Sequence, residues 1–131
     1  MGDPRRPRVL VVDDTASIRF LIRANLELAG FDIDEAVDGI DCLEQLRAAD
    51  PLPDAVTVDV MMPRMDGVAA VVAIRADPRL AGLTVVMVST QGHPASVQRG
   101  MDAGVDAYIV KPFDPDHLVR TVQDLVEQRR R

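Results

Sequence analysis

The stretch Asp54 to Gly67, reading DAVTVDVMMPRMDG, narrows the folds open to this chain more than any other. Ala55 to Val58 is apolar or β-branched throughout, the pattern of a buried strand, and it runs into a carboxylate, Asp59. Pro63 and the Asp66-Gly67 pair then break the run and offer an N-cap to the next apolar segment, Val68 to Ile74. Asp59 is thereby placed at the carboxyl end of an interior strand, where open α/β sheets keep their ligand crevices. A carboxylate beside an apolar interior costs several kcal/mol unless it is paired or bound to a cation, so the chain must supply it with partners.

The rest of the sequence alternates in the same way. Val9 to Val12 reads as a first buried strand ending on two adjacent acids, Asp13 and Asp14. Ile18, Leu21, Ile22, Leu26 and Ala29 recur at helical spacing and are stopped by Gly30. Phe31 to Ala36 alternates like a half-exposed edge strand, and Asp38 caps a second helix carrying Ile40, Leu43 and Leu46, which ends before Pro51 and Pro53. The third helix, Val68 to Ile74, is apolar nearly all round, so it either is deeply buried or offers a partner surface, and its small Ala residues favour burial. Leu83 to Val88 forms a fourth strand ending in Ser89-Thr90, and Pro94 enters a fourth helix with Val97 and Met101 facing inward and Gly104 closing it. Ala107 to Val110 is a short fifth strand leading into Lys111-Pro112; Asp114-Pro115 opens the last helix, with Leu118, Val119, Val122, Leu125 and Val126 in one stripe. Five strands alternating with five helices imply an α/β fold, a parallel sheet covered on both faces and joined by right-handed crossovers. Periodicity leaves the strand order open.

A chain of 131 residues is the size of one domain. Residues 1–8 read as a flexible N-terminal tail, 9–128 as the folded domain and 129–131 as a basic C-terminal end. A net charge of -6 argues against direct nucleic-acid or anionic-membrane binding. The single Cys42 forms no internal disulfide, no Cys/His cluster suggests zinc, and no apolar run is long enough to insert in a membrane, so a cytoplasmic protein is expected. Fourteen of the fifteen basic residues are Arg, which singles out Lys111.

Asp59 to Gly67, reading DVMMPRMDG, resembles the phosphorylation-site loop of bacterial two-component response regulator receiver domains. The resemblance continues through Asp13-Asp14, Arg19, Gly30, Asp38-Gly39, Ile74-Arg75, Ser89, Ala103-Gly104 and Lys111-Pro112-Phe113, and it covers Val9 to Glu127. It implies a flavodoxin-like, doubly wound sheet of strand order 2-1-3-4-5, which sets the first and third strands side by side and brings Asp13, Asp14 and Asp59 together. Three carboxylates in one crevice repel each other unless protons are taken up or a hard cation is held between them. The resemblance implies Mg2+, with Mn2+ as a substitute, ligated by Asp14, Asp59 and the backbone carbonyl of Met61, with Asp13 acting through a water. Asp59 is then the phosphoacceptor, charged by a sensor histidine kinase, a histidine phosphotransfer protein or a small acyl phosphate, with Ser89 and Lys111 meeting phosphoryl oxygens. Tyr108 matches the family's switch aromatic: as Ser89 moves toward the phosphoryl group the ring turns, and the surface of the fourth helix, fifth strand and fifth helix changes for a downstream protein target. The resemblance further implies a cis Lys111-Pro112 bond. The expected form is a stand-alone, chemotaxis-regulator-like domain, monomeric or weakly homodimeric.

Thr90 departs from the family, which usually carries Ala or Gly after the hydroxyl residue, and its β-branched side chain should crowd access to the phosphoryl group. Two readings from other classes compete. A phosphorylation-independent interaction module on the same fold would dispense with the acids, Ser89 and Lys111. A phosphohydrolase of the haloacid dehalogenase type would carry acids two apart on the first strand, whereas Asp13 and Asp14 are adjacent. A flavodoxin is disfavoured because acids at the end of the first strand repel a phosphate.

Overall fold

The computed structural model describes residues 6–130, with β1 (Arg8–Val12), α1 (Ala16–Leu28), β2 (Asp32–Ala36), α2 (Gly39–Ala48), β3 (Ala55–Val58), α3 (Gly67–Ala76), β4 (Thr84–Ser89), α4 (Pro94–Ala103), β5 (Ala107–Val110) and α5 (Pro115–Arg130). The five strands form one sheet in the order β2-β1-β3-β4-β5, every neighbouring pair parallel. The chain moves outward from β1 to β2, then returns past β1 to β3, so the winding reverses between β1 and β3. In register, Val12 lies opposite Val58. Asp13 and Asp59 therefore leave the sheet side by side, and the Asp59 N–H donates to the Val12 carbonyl at 3.1 Å.

Side-chain alternation along the strands divides the core into two layers. Leu10, Val12, Val56, Val58, Val85 and Met87 face Cys42 and Leu46 of α2 and Val71 and Ile74 of α3. Val9, Val11, Ala55, Val86, Val88 and Ile109 face Ile22 and Leu26 of α1 and Leu118, Val122 and Val126 of α5. Every residue of β3 and β4 is buried, as a parallel sheet covered on both faces requires. Caps sit where the sequence places them. Asp38 accepts the Asp41 N–H at 2.8 Å and Asp66 accepts that of Ala69 at 2.8 Å. Gly30 has φ +99 and ends α1, its N–H bonding the Glu27 carbonyl while the Phe31 N–H bonds that of Leu26.

The helix faces differ from the sequence reading in three places. Met101 is 44% exposed while Gly100 is buried, because α4 turns its glycine toward the Tyr108 ring and Met87. Leu21 is exposed and Ile22 with Leu26 takes the core, since a helix buries one stripe and Leu21 lies a full residue step off it. In α3 only Gly67, Ala70, Val71 and Ile74 are buried, and Val72 points outward, because the sheet covers one side of the helix. Arg8, counted with the tail, is instead the first residue of β1: its N–H donates to Asp54 Oδ2 at 2.8 Å and its carbonyl accepts the Asp54 N–H at 2.8 Å. Arg6 also contacts the fold, through the Gly30 carbonyl and Asp32. Residues 1–5 of the expected tail and Arg131 of the basic end lie outside the described residues. Arg129 donates to the Gly82 carbonyl at 2.6 Å.

Thr57, in the middle of β3, has a buried hydroxyl without a hydrogen-bond partner. Its neighbours in register are Val11 and Val86, which offer no side-chain acceptor. Valine is nearly isosteric with threonine and removes the orphaned group, so Thr57→Val is expected to stabilise the domain by about 1 kcal/mol. A urea midpoint raised at unchanged slope is the expected result, and a lowered midpoint would show that the hydroxyl is satisfied.

Candidate functional site

The acids at the carboxyl ends of β1 and β3 are held by backbone as much as by charge. Asp13 is 1% exposed; its Oδ1 accepts the Thr15 N–H at 2.9 Å, and its own N–H donates to the Ala36 carbonyl at 3.2 Å. Arg19, on α1, donates to the Asp13 carbonyl at 2.7 Å and pairs with Glu35 at 3.1 Å, so the β1–α1 loop is tied to β2. Asp59, the first residue after β3, is 8% exposed. The chain then folds back so tightly that a Cβ on Gly67 would lie 2.0 Å from the Asp59 carbonyl oxygen, and the Gly67 N–H donates to the Val60 carbonyl at 2.8 Å. No residue with a side chain fits there.

Lys111 enters from the end of β5, its N–H donating to the Ser89 carbonyl at 2.8 Å. Its ammonium donates to Asp13 Oδ2 at 2.8 Å and to Asp59 Oδ2 at 3.3 Å, all three groups being nearly buried. With Asp14, which is exposed, Asp13 and Asp59 place one carboxylate oxygen each within 4.8 Å of one another. Three carboxylates against one ammonium leave two negative charges uncompensated, and every donor is an oxygen. That charge and that donor set fit a hard divalent cation. Burial, reinforced by the charge of Asp13, pushes the Asp59 carboxyl above its ordinary range, against the pull of Lys111. The folded state thus takes up this proton more readily than the unfolded chain. The group's contribution to stability is present at low pH and is lost as pH rises from the ordinary carboxylate range through the raised value.

Ser89 is fully buried at the end of β4, and its Oγ accepts the Gln91 N–H at 3.0 Å rather than meeting the acids or Lys111. Tyr108 is half-buried, and its hydroxyl donates to the Gln91 carbonyl at 2.6 Å. One peptide segment therefore joins the two residues the sequence pairs as a switch. Gln91 carries no signal that could have marked it, being an ordinary polar loop residue. Thr90, directly after Ser89, is exposed, and so is Met61. The Lys111–Pro112 bond is cis, as is Asp50–Pro51. His93 caps α4, its Nδ1 accepting the Ala95 N–H at 3.1 Å, and His117 is exposed. Arg64 went unnoticed in the sequence, yet it pairs with Asp38 at 2.7 Å beside the site.

The family model for the response regulator receiver domain matches residues 9–123. The chain belongs to that family. The receiver domain is 37% identical over 122 residues to the DNA-binding dual master transcriptional regulator RpaA of Synechocystis, an alignment covering 93% of this chain and 50% of that protein. It spans about half the length of the curated relatives it resembles in this way. Among solved structures it resembles the chemotaxis response regulator CheY4 of Vibrio cholerae, with 33% identity, TM-score 0.84, and coverage of 92% of this chain and 98% of that one. It also resembles the receiver domain of a Francisella response regulator, with 29% identity, TM-score 0.87, and coverage of 94% and 98%. The doubly wound order 2-1-3-4-5 is the flavodoxin-like arrangement of this family. Receiver domains generally bind Mg2+ at an acidic pocket, and this chain gathers Asp13, Asp14 and Asp59 into one acidic cluster. No helix among the described residues is long and apolar enough to cross a membrane.

Proposed function

We propose that this receiver domain is a phosphorylation-dependent signalling switch whose phosphoacceptor is Asp59. The observation that carries the reading is the Lys111 ammonium bridging Asp13 and Asp59 within a cluster of three acids. Asp59 is buried enough to be a desolvated nucleophile and ends a rigid strand, so its oxygen is aimed by the sheet. Its Oδ attacks phosphorus in line; the new O–P bond forms as the bond to the donor's imidazole nitrogen or acyl oxygen breaks, and the departing group keeps that electron pair. Mg2+, with Mn2+ as a substitute, would be held by Asp14, Asp59 and the Met61 carbonyl, with Asp13 acting through a water, and when bound it would supply positive charge for the phosphoryl oxygens. Lys111 moves its ammonium from Asp59 to a phosphoryl oxygen, and the Ser89 hydroxyl gives up the Gln91 N–H that it accepts and donates its own O–H to another phosphoryl oxygen.

That exchange gives the switch its lever. Gln91 also accepts from Tyr108, so freeing the Ser89 hydroxyl perturbs the peptide that anchors the ring. The output surface is the face of α4, β5 and α5, where Met101 and Val110 stand exposed, and a downstream protein target reads it there. The phosphodonor is a sensor histidine kinase or histidine phosphotransfer protein, the domain is cytoplasmic and monomeric or weakly dimeric, and its acidic surface does not bind nucleic acid directly. A phosphate-affinity gel after treatment with acetyl phosphate and Mg2+ tests the reading: wild type shifts and Asp59→Asn does not. A wild type that never shifts would leave only an interaction module on a receiver fold.

Thr90 is exposed and directly follows Ser89, and in its place Ala would open a path for water to the phosphoryl group. Thr90→Ala is expected to lose its phosphoryl group several-fold faster than wild type and to accept one faster from bulky donors. Decay of the shifted band after removal of acetyl phosphate measures this, and slower decay in the variant would contradict it.

A further inference from the structure

We infer that the Arg64–Asp38 ion pair is a latch that holds the β3–α3 loop in its metal-binding form, which makes Arg64 a positioning residue for the divalent ion. The inference rests on the phosphoacceptor reading above. Arg64 is the only non-glycine residue among those described with positive φ, at 64°, a conformation that L side chains rarely adopt. It is the centre of a three-residue turn in which the Met65 N–H donates to the Pro63 carbonyl at 2.7 Å. A backbone held in so unfavourable a region needs a compensating contact. The side chain supplies one: Nε donates to Asp38 Oδ2 at 2.7 Å and a terminal nitrogen to Oδ1 at 3.1 Å, a two-pronged grip.

The two partners differ in freedom. The Asp38 side chain is 6% exposed and already committed as the N-cap of α2, whereas that of Arg64 is 57% exposed. Arg64 therefore closes on a fixed anchor from outside. The Arg64 guanidinium, helped by the Asp41 N–H, holds the Asp38 carboxyl below its usual range, so the anchor stays charged. A second pin lies beside the first, with the Met65 carbonyl accepting the Gly39 N–H at 3.1 Å. At the other end the Val60 carbonyl is fixed by Gly67. Residues 61–63 lie between these pins, with Met62 packed against the core and Met61 exposed, and Met61 supplies the one backbone ligand of the proposed site. Releasing the latch frees that carbonyl without touching the carboxylates of Asp13, Asp14 or Asp59.

Calorimetric titration of the full chain with Mg2+ alone tests this without any phosphoryl transfer. Arg64→Gly keeps the positive φ accessible and removes the ion pair; it should bind Mg2+ about tenfold more weakly, as loss of supporting contacts behind metal ligands usually does. Its urea midpoint should be near that of wild type, with faster amide exchange confined to residues 61–66. Asp38→Asn still caps α2 and should show a similar loss of affinity, and the double variant should lose no more than either single one. Arg64→Lys, whose ammonium meets one oxygen, should fall between and guards against a misfolded glycine variant. Wild-type affinity in Arg64→Gly and Asp38→Asn would overturn the latch while leaving the phosphoacceptor reading intact. A wild type that binds no Mg2+ would overturn both.

Discussion

Lys111→Met should unfold about 3 kcal/mol more easily than wild type at neutral pH in the absence of divalent metal. The ammonium is the one positive group paired with the carboxylates of Asp13 and Asp59 among the described residues, and all three side chains are nearly excluded from water. Removing it strands two like charges side by side, which costs far more than the net worth of the pair it breaks. The sign with pH follows from the carboxylates. Asp59 already has a raised pKa from burial, and loss of Lys111 raises it further, so protonation relieves the repulsion as pH falls. The deficit should be largest near neutrality and shrink steadily on acidification, whereas a packing defect at Lys111 would persist at every pH. Mg2+ should restore part of the loss by binding the folded state alone. Phosphoryl transfer from acetyl phosphate should fall by about two to three orders of magnitude, the usual effect of removing one preorganised charge from a developing transition state. Urea titrations at several pH values, with and without Mg2+, measure the first part, and a destabilisation independent of pH would contradict it.

Gly67→Ala is expected to be the most damaging single methyl that can be added to this chain. The new carbon would lie 2.0 Å from the Asp59 carbonyl oxygen, and 3.1 Å from the Val60 Cα, both of them backbone rather than a side chain that could swing aside. Relief requires the end of β3 to separate from the start of α3. That motion breaks the Gly67 N–H bond to the Val60 carbonyl and displaces Asp59 itself. A cost of about 4 kcal/mol, at the upper end for point substitutions, is expected, together with loss of labelling by acetyl phosphate. A variant with a wild-type urea midpoint would show that the β3–α3 connection can open without cost.

These two positions illustrate how unevenly the site was written into the primary structure. Asp59 and Gly67 announced themselves locally, because a β-branched run ending on an acid and an Asp-Gly pair ahead of an apolar segment each have few structural uses. Lys111 was visible mainly as the single lysine among arginines, which says nothing of what it touches. Arg64 and Gln91 were harder still. Their roles depend on Asp38 and Tyr108, residues 26 and 17 positions away, reached only through the packing of separate elements. The inward faces of α1, α3 and α4 were misread for a related reason. A window of sequence shows that a helix has an apolar stripe, but where the stripe is wide, as in α3, the neighbouring sheet chooses which part of it to cover.

Hydrophobic periodicity, turn residues and capping acids, all local properties of the chain, were enough to determine the alternation of five strands and five helices and to put carboxylates at strand ends. They were indifferent to strand order, because a right-handed crossover can deliver the next strand to either side of the sheet according to the face its helix takes. Tertiary structure decided that β1 and β3 are neighbours, and with that the meeting of Asp13, Asp14, Asp59 and Lys111. The physical reason is that charges on separate loops interact only across distances that folding sets, whereas the preference of each loop to be a loop is held within a few residues.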